Sequence, residues 1–94
     1  MGVSFEWDAR KAASNLRKHE VSFEEAMRVF GDPLAQIFDD PVYSDDERRE
    51  LIVGHSSPRR LLIVSFVERG SAVRILSARR TTRRERRDYE EGTS

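Results

Sequence analysis

Between Arg74 and Arg87 the chain carries seven arginines against a single glutamate, and in all it uses fifteen arginines but only two lysines, Lys11 and Lys18. Guanidinium is planar, always charged, and grips phosphate or carboxylate through two parallel hydrogen bonds, so this bias points to an anionic polymer or an acidic protein surface as partner. Arg60 opens one apolar run, Arg69 closes it, Arg74 sits in the next and Arg79 ends that one. Such positions present all four from a rigid sheet. Fixed cations beside a phosphodiester lower the barrier to attack by the neighbouring 2′-hydroxyl, because charge accumulates on the non-bridging oxygens. RNA binding and cleavage is therefore the first chemistry suggested. Strict alternation along the strand would, however, send Arg74 and Arg79 to opposite faces. Proton transfer would fall to His19, Tyr89 or the carboxylates Glu24, Glu68 and Glu85.

Each candidate also has a plain structural role. His19 follows a helix, where an imidazole complements the dipole; Tyr89 is the one side chain of its helix able to pack; Glu85 and Glu24 fit capping and first-turn positions. His55 reads as a strand-end residue, and its spacing from His19 resembles no metal site. The absence of cysteine removes disulfides, thiolate zinc sites and a cysteine nucleophile, and fits a reducing, cytoplasmic compartment. No metal or cofactor is expected.

The elements that must hold these groups follow from periodicity. Leu, Ile, Val and Phe make up 23 of 94 residues and charged residues 36%, enough apolar content for one thin core and one domain over 1–94. The zero net charge divides into −5 over residues 1–58 and +5 over 59–94. Ala9, Ala12, Ala13 and Leu16 mark a helix over about 8–18, capped by Asp8, whose other face carries Lys11, Asn15 and Lys18. Ser22-x-x-Glu25 reads as a capping box opening a second helix with Phe23, Ala26, Met27 and Phe30 as its apolar stripe, stopped by Gly31 and Pro33. Strands are expected at Ala35–Phe38, Arg49–His55, Leu61–Val67 and Ala72–Ala78, joined by short links that favour an antiparallel meander. Leu61-Leu62-Ile63-Val64 is apolar on both faces, as a central covered strand would be. A second capping box, Thr82-x-x-Glu85, opens a terminal helix on which Arg80, Arg83, Arg84 and Arg87 form one cationic face. The expected fold is α+β: two N-terminal helices, an antiparallel meander and a basic C-terminal helix. No stretch is long and apolar enough to span a membrane, and the N-terminus lacks a secretory pattern.

Phe5-Glu6-Trp7-Asp8, Lys11, Asn15, Lys18-His19, Val21-Ser22-Phe23-Glu24-Glu25-Ala26, Val29-Phe30, Arg60-Leu61-Leu62, Glu68-Arg69-Gly70, Arg74-Ile75-Leu76-Ser77-Ala78-Arg79 and Arg83-Arg84-Glu85-Arg86-x-x-Tyr89 together resemble the BrnT family of toxins, in order over nearly the whole chain. The resemblance implies a RelE-like fold and a metal-independent ribonuclease that arrests translation. It also implies a hetero-oligomer with a BrnA-like antitoxin, which inhibits the toxin and itself contacts operator DNA. Carried onto this chain, the motif positions are His19, Arg60, Arg69, Arg74, Arg79 and Tyr89, the arginines binding phosphate and His19 or Tyr89 moving protons. Lys11, Lys18, Arg80, Arg83, Arg84 and Arg87 would bind RNA or antitoxin. Two positions depart from the pattern. Glu20 stands where the family commonly has glycine, so a turn needing positive φ there would carry about 1 kcal/mol of strain. Arg59 replaces a turn glycine, so the hairpin before the central strand would take another turn type. The rival reading is a non-catalytic module that binds nucleic acid or a partner protein.

Overall fold

The computed structural model describes residues 3–41 and 48–92; of the unit expected over 1–94, residues 1–2, 42–47 and 93–94 lie outside it. The described residues form β1 (Ser4–Glu6), α1 (Ala9–His19), α2 (Phe23–Val29), β2 (Gln36–Asp39), β3 (Glu50–Ser57), β4 (Arg60–Arg69), β5 (Ala72–Arg80) and α3 (Arg83–Gly92). This is the α+β order expected, with one addition. The sheet runs β1-β5-β4-β3-β2. Strands β2 to β5 make the antiparallel meander, while β1 lies parallel to β5, with Glu6 beside Arg74. Three residues are too short a run to betray a strand by alternation.

Strand β4 is central and covered on both sides. On one face, here the helical face, Ile52, Leu62, Val64, Phe66, Val73, Ile75 and Ala78 meet Val21, Phe23, Ala26 and Val29. Phe5, Phe30 and Phe66 stack edge-to-face at 5.1 Å for each successive pair, a favoured geometry for aromatic quadrupoles. On the other, the tail face, Val53 and Leu61 pack with Tyr89 of α3. Among the described residues no helix is long and apolar enough to cross a membrane.

Asp8 caps α1 as expected, accepting from the Arg10 and Lys11 amides at 2.8 and 3.0 Å. Of the apolar stripe expected on α1, only Ala12 packs on the core, while Ala9 and Ala13 stay exposed. Leu16 is 49% exposed, whereas Asn15 is 7% exposed. The cause is a strand edge. β1 pairs with β5 only as far as Arg74, and Asn15 supplies the partner beyond it: its Nδ2 donates to Ala78 O at 2.8 Å and its Oδ1 accepts from Ala78 N at 3.0 Å. The same Nδ2 donates to Val21 O at 2.9 Å. The side-chain amide thus stands in for a neighbouring peptide group and turns Asn15 inward beside Ala12, while Lys11 and Lys18 stay exposed. One turn later Glu20 adopts φ 58°, ψ 33° and returns its N–H to Leu16 O, the left-handed cap that glycine fills without strain. Arg59, by contrast, has no positive φ, so the β3–β4 hairpin does use a turn that dispenses with glycine.

Asn15→Ala should lower stability by about 2–4 kcal/mol, since it leaves the Ala78 and Val21 backbone groups without partners. Asn15→Leu should destabilise too, although it is more apolar; urea midpoints measure both. Glu20→Gly should raise stability by about 1 kcal/mol in the same assay.

Candidate functional site

The register between β4 and β5 decides where the sheet arginines point. Arg79 stands opposite Ile63, Ala78 opposite Val64 and Ser77 opposite Ser65; the ladder then slips, placing Ile75 opposite Phe66 and leaving Leu76 unpaired. One extra residue in a strand reverses its alternation. Arg74, opposite Val67, and Arg79 therefore share the tail face, against the expectation from strict alternation. Arg69, opposite Ala72, belongs to that face as well, diagonal to Arg74 at a Cβ separation of about 7–8 Å. Along β5, Arg74 and Arg79 are about 15 Å apart. Exposed Ser77 lies between them. The result is a sheet face with arginines at both ends.

Carboxylates hold these arginines in place. Arg79 forms a two-pronged pair with Glu85, Nη1 to Oε1 at 2.8 Å and Nη2 to Oε2 at 2.9 Å. Glu85 also closes the predicted capping box, its Oε1 accepting from Thr82 N at 2.8 Å while its own N donates to Thr82 Oγ1 at 3.1 Å. The Arg79 fork, helped by the Thr82 amide, holds the Glu85 carboxyl down at about 2, although burial opposes this. At the other end Arg74 Nη1 donates to Glu6 Oε2 at 3.0 Å. Glu6 reaches Arg74 only because β1 joins the sheet; the short Phe5-Glu6-Trp7 run carries no sign of it.

Other candidates lie elsewhere. Arg60 faces α2, its Nε donating to Glu25 Oε2 at 2.6 Å and its Nη2 to Glu20 O at 3.2 Å. Ser22 Oγ caps the Glu25 amide at 3.0 Å, but the Glu25 side chain serves Arg60 and Ser56, so only half of the expected box forms. His19 ends α1 half-buried on the helical side, with Lys11 and Lys18 exposed on the same helix. Arg80 is the last residue of β5, opposite Leu62. It therefore leaves the helical wheel to Arg83, Arg84 and Arg87, which are exposed on α3. Glu24 and Glu68 are exposed, away from the face that carries Arg74 and Arg79.

Tyr89 is the anchor of α3: it is 7% exposed, its hydroxyl donates to Leu34 O at 2.9 Å, and burial, then Asp32, pushes its pKa up. That leaves its proton committed inward. His55, beneath Tyr89 with ring centroids 5.9 Å apart, is fixed by Asp32, which accepts from the His55 amide at 2.7 Å. Burial would raise the Asp32 carboxyl, but the His55 and Leu34 amides hold it below its ordinary value. Gly54 makes this approach possible, since a Cβ there would come within 2.9 Å of the Ala35 Cβ. Among the described residues no three His, Asp or Glu side chains converge as a metal site would require.

A family model described as "Ribonuclease toxin, BrnT, of type II toxin-antitoxin system" matches residues 7–85. The 1.1 Å crystal structure of the Brucella abortus ribonuclease toxin, BrnT, superposes with a TM-score of 0.68 at 24% identity, covering 87% of this chain and 100% of that one. That likeness carries the fold. No curated protein matches.

Since the folded pKa of Glu85 lies near 2 and its ordinary value is 4.5, the Arg79–Glu85 pair contributes its stability above about pH 4.5 and loses it as pH falls toward 2. Glu85→Gln should be less stable than wild type at pH 7 and show a flatter decline between those limits. Thermal unfolding followed by circular dichroism at stepped pH measures this.

Proposed function

The chain belongs to the BrnT family of ribonuclease toxins of type II toxin-antitoxin systems, and from that premise we propose that it cleaves RNA without a metal ion and so arrests translation. Family membership brings with it a cognate antitoxin as partner. The observation that carries the catalytic reading is the unpaired Leu76, whose slip in register puts Arg69, Arg74 and Arg79 on one face.

In the proposed reaction a single-stranded RNA lies along the arginine-bearing face of β5, with its phosphates against the two arginine ends. The 2′-oxygen attacks phosphorus, the P–O5′ bond breaks, and a 2′,3′-cyclic phosphate and a 5′-hydroxyl result. The 2′-hydroxyl proton passes to a base and a proton is returned to the departing 5′-oxygen. We assign the acceptor role to Glu6, whose carboxylate already lies on Arg74. Arg69 and Arg74 stabilise the charge growing on the non-bridging oxygens. Arg79 meets the next part of the backbone; its pair with Glu85 uses Nη1 and Nη2, which leaves Nε–H for phosphate. Arg60, across the sheet, ties β4 to α2, His19 lies at the end of α1 on that same side, and Tyr89 seats α3. The antitoxin, taken as BrnA-like, would cover exposed Arg83, Arg84 and Arg87 with acidic side chains and supply the contact with operator DNA, in an association that weakens as salt rises.

Purified protein freed of antitoxin should cleave RNA in EDTA, and its expression alone should stop growth. Arg74→Ala with Arg79→Ala should lower the cleavage rate by about 100-fold or more while circular dichroism still reports the folded sheet. Intact RNA with wild-type protein, with or without ribosomes, would instead favour a module that only binds.

A further inference from the structure

A second cationic feature lies at the end of the sheet where β4 begins and β5 ends. There Arg59, Arg60, Leu61, Arg80, Thr81 and Arg86 enclose a hollow of about 270 Å³. Its walls come from the β3–β4 turn, the last residue of β5 and the first turns of α3, and they are tied together. Arg86 Nη2 donates to Arg59 O at 3.5 Å, and Thr81 N donates to Leu61 O at 3.1 Å. Arg60 is already committed to Glu25, and Arg86 has a loose contact with Glu90 at 3.7 Å. Among the described residues Arg59 and Arg80 have no acidic partner. The fold therefore holds like charges around a small hollow, where their repulsion is relieved by an anion.

We propose that this hollow binds a backbone phosphate of the RNA next to the stretch held on the arginine face of β5, an assignment that rests on the ribonuclease reading above. Two observations favour RNA over an acidic protein segment. Arg79 and Arg80 are consecutive and point to opposite faces of β5, and Arg80 lines the hollow, so a strand that leaves Arg79 round the end of β5 meets the hollow next. The hollow also offers no apolar anchor: Leu61, its one apolar lining residue, is 2% exposed, whereas protein interfaces centre on buried apolar or aromatic contacts.

The test uses a single-stranded RNA methylated at every 2′-oxygen, which removes the nucleophile and separates binding from cleavage. Arg59→Gln with Arg80→Gln should weaken its binding about tenfold and make the dependence of log K on log salt shallower by about 0.7, the share of the slope that one neutralised phosphate of a single strand carries. Arg59→Lys with Arg80→Lys should retain most of the salt slope. Both positions are exposed, and circular dichroism confirms that the variants fold. Unchanged affinity and slope in the glutamine variant would overturn the assignment, as would loss of poly-L-glutamate binding with RNA binding intact. If wild type fails to cleave ordinary RNA yet the glutamine variant still loses the methylated strand, the hollow stands and the ribonuclease reading falls.

Discussion

The open edge of β5 is the constraint around which this small fold is arranged. A strand deep in a sheet must satisfy its amides and carbonyls, and β1 is too short to do so along the full length of β5. Asn15 completes the ladder, and by also binding Val21 O it fixes the link between α1 and α2. That one amide ties α1 at once to β5 and to the turn that leads into α2. Its burial sets aside the ordinary preference for an apolar contact and leaves Leu16 half in water.

The irregularity in the same strand governs the other face. Without Leu76 as an extra residue the arginines of β5 would be divided between the core and the tail side. With it, three guanidinium groups line one side of a sheet whose other side is packed. Two of them are steadied by acids brought from the ends of the described chain, Glu6 from β1 and Glu85 from α3. Such pairs neutralise part of the charge, but they fix long side chains that would otherwise lose rotamer freedom on binding.

Much of this is legible in the amino-acid order. Capping residues Asp8, Ser22 and Thr82 mark the helix starts, apolar runs mark β2 to β5, and Leu61–Val64 reveals the central strand. What escapes are features set by long-range contact. Strand β1 needs β5 to exist, the burial of Asn15 needs the edge of that strand, and Glu25 turns from its own helix to Arg60 because β4 brings a cation against it. The bulge is hidden for a similar reason: Arg74-Ile75-Leu76-Ser77 reads as ordinary strand, and only its pairing with β4 exposes the surplus residue. Arg80 ends a strand although its spacing fits the helix, because the boundary between β5 and α3 falls within a continuous stretch rich in arginine.

On the proposed ribonuclease reading, the pairing of Arg79 with Glu85 ties harm to integrity. The same guanidinium that would face the nucleic acid fastens the tail helix, beside the Tyr89 contact with Leu34 O and the Arg86 contact with Arg59 O. A host under selection to disarm this chain by changing that position would loosen the helix as well, leaving a product exposed to proteolysis. Few single substitutions at this end can yield a harmless but persistent protein, so attack and upkeep are inherited together.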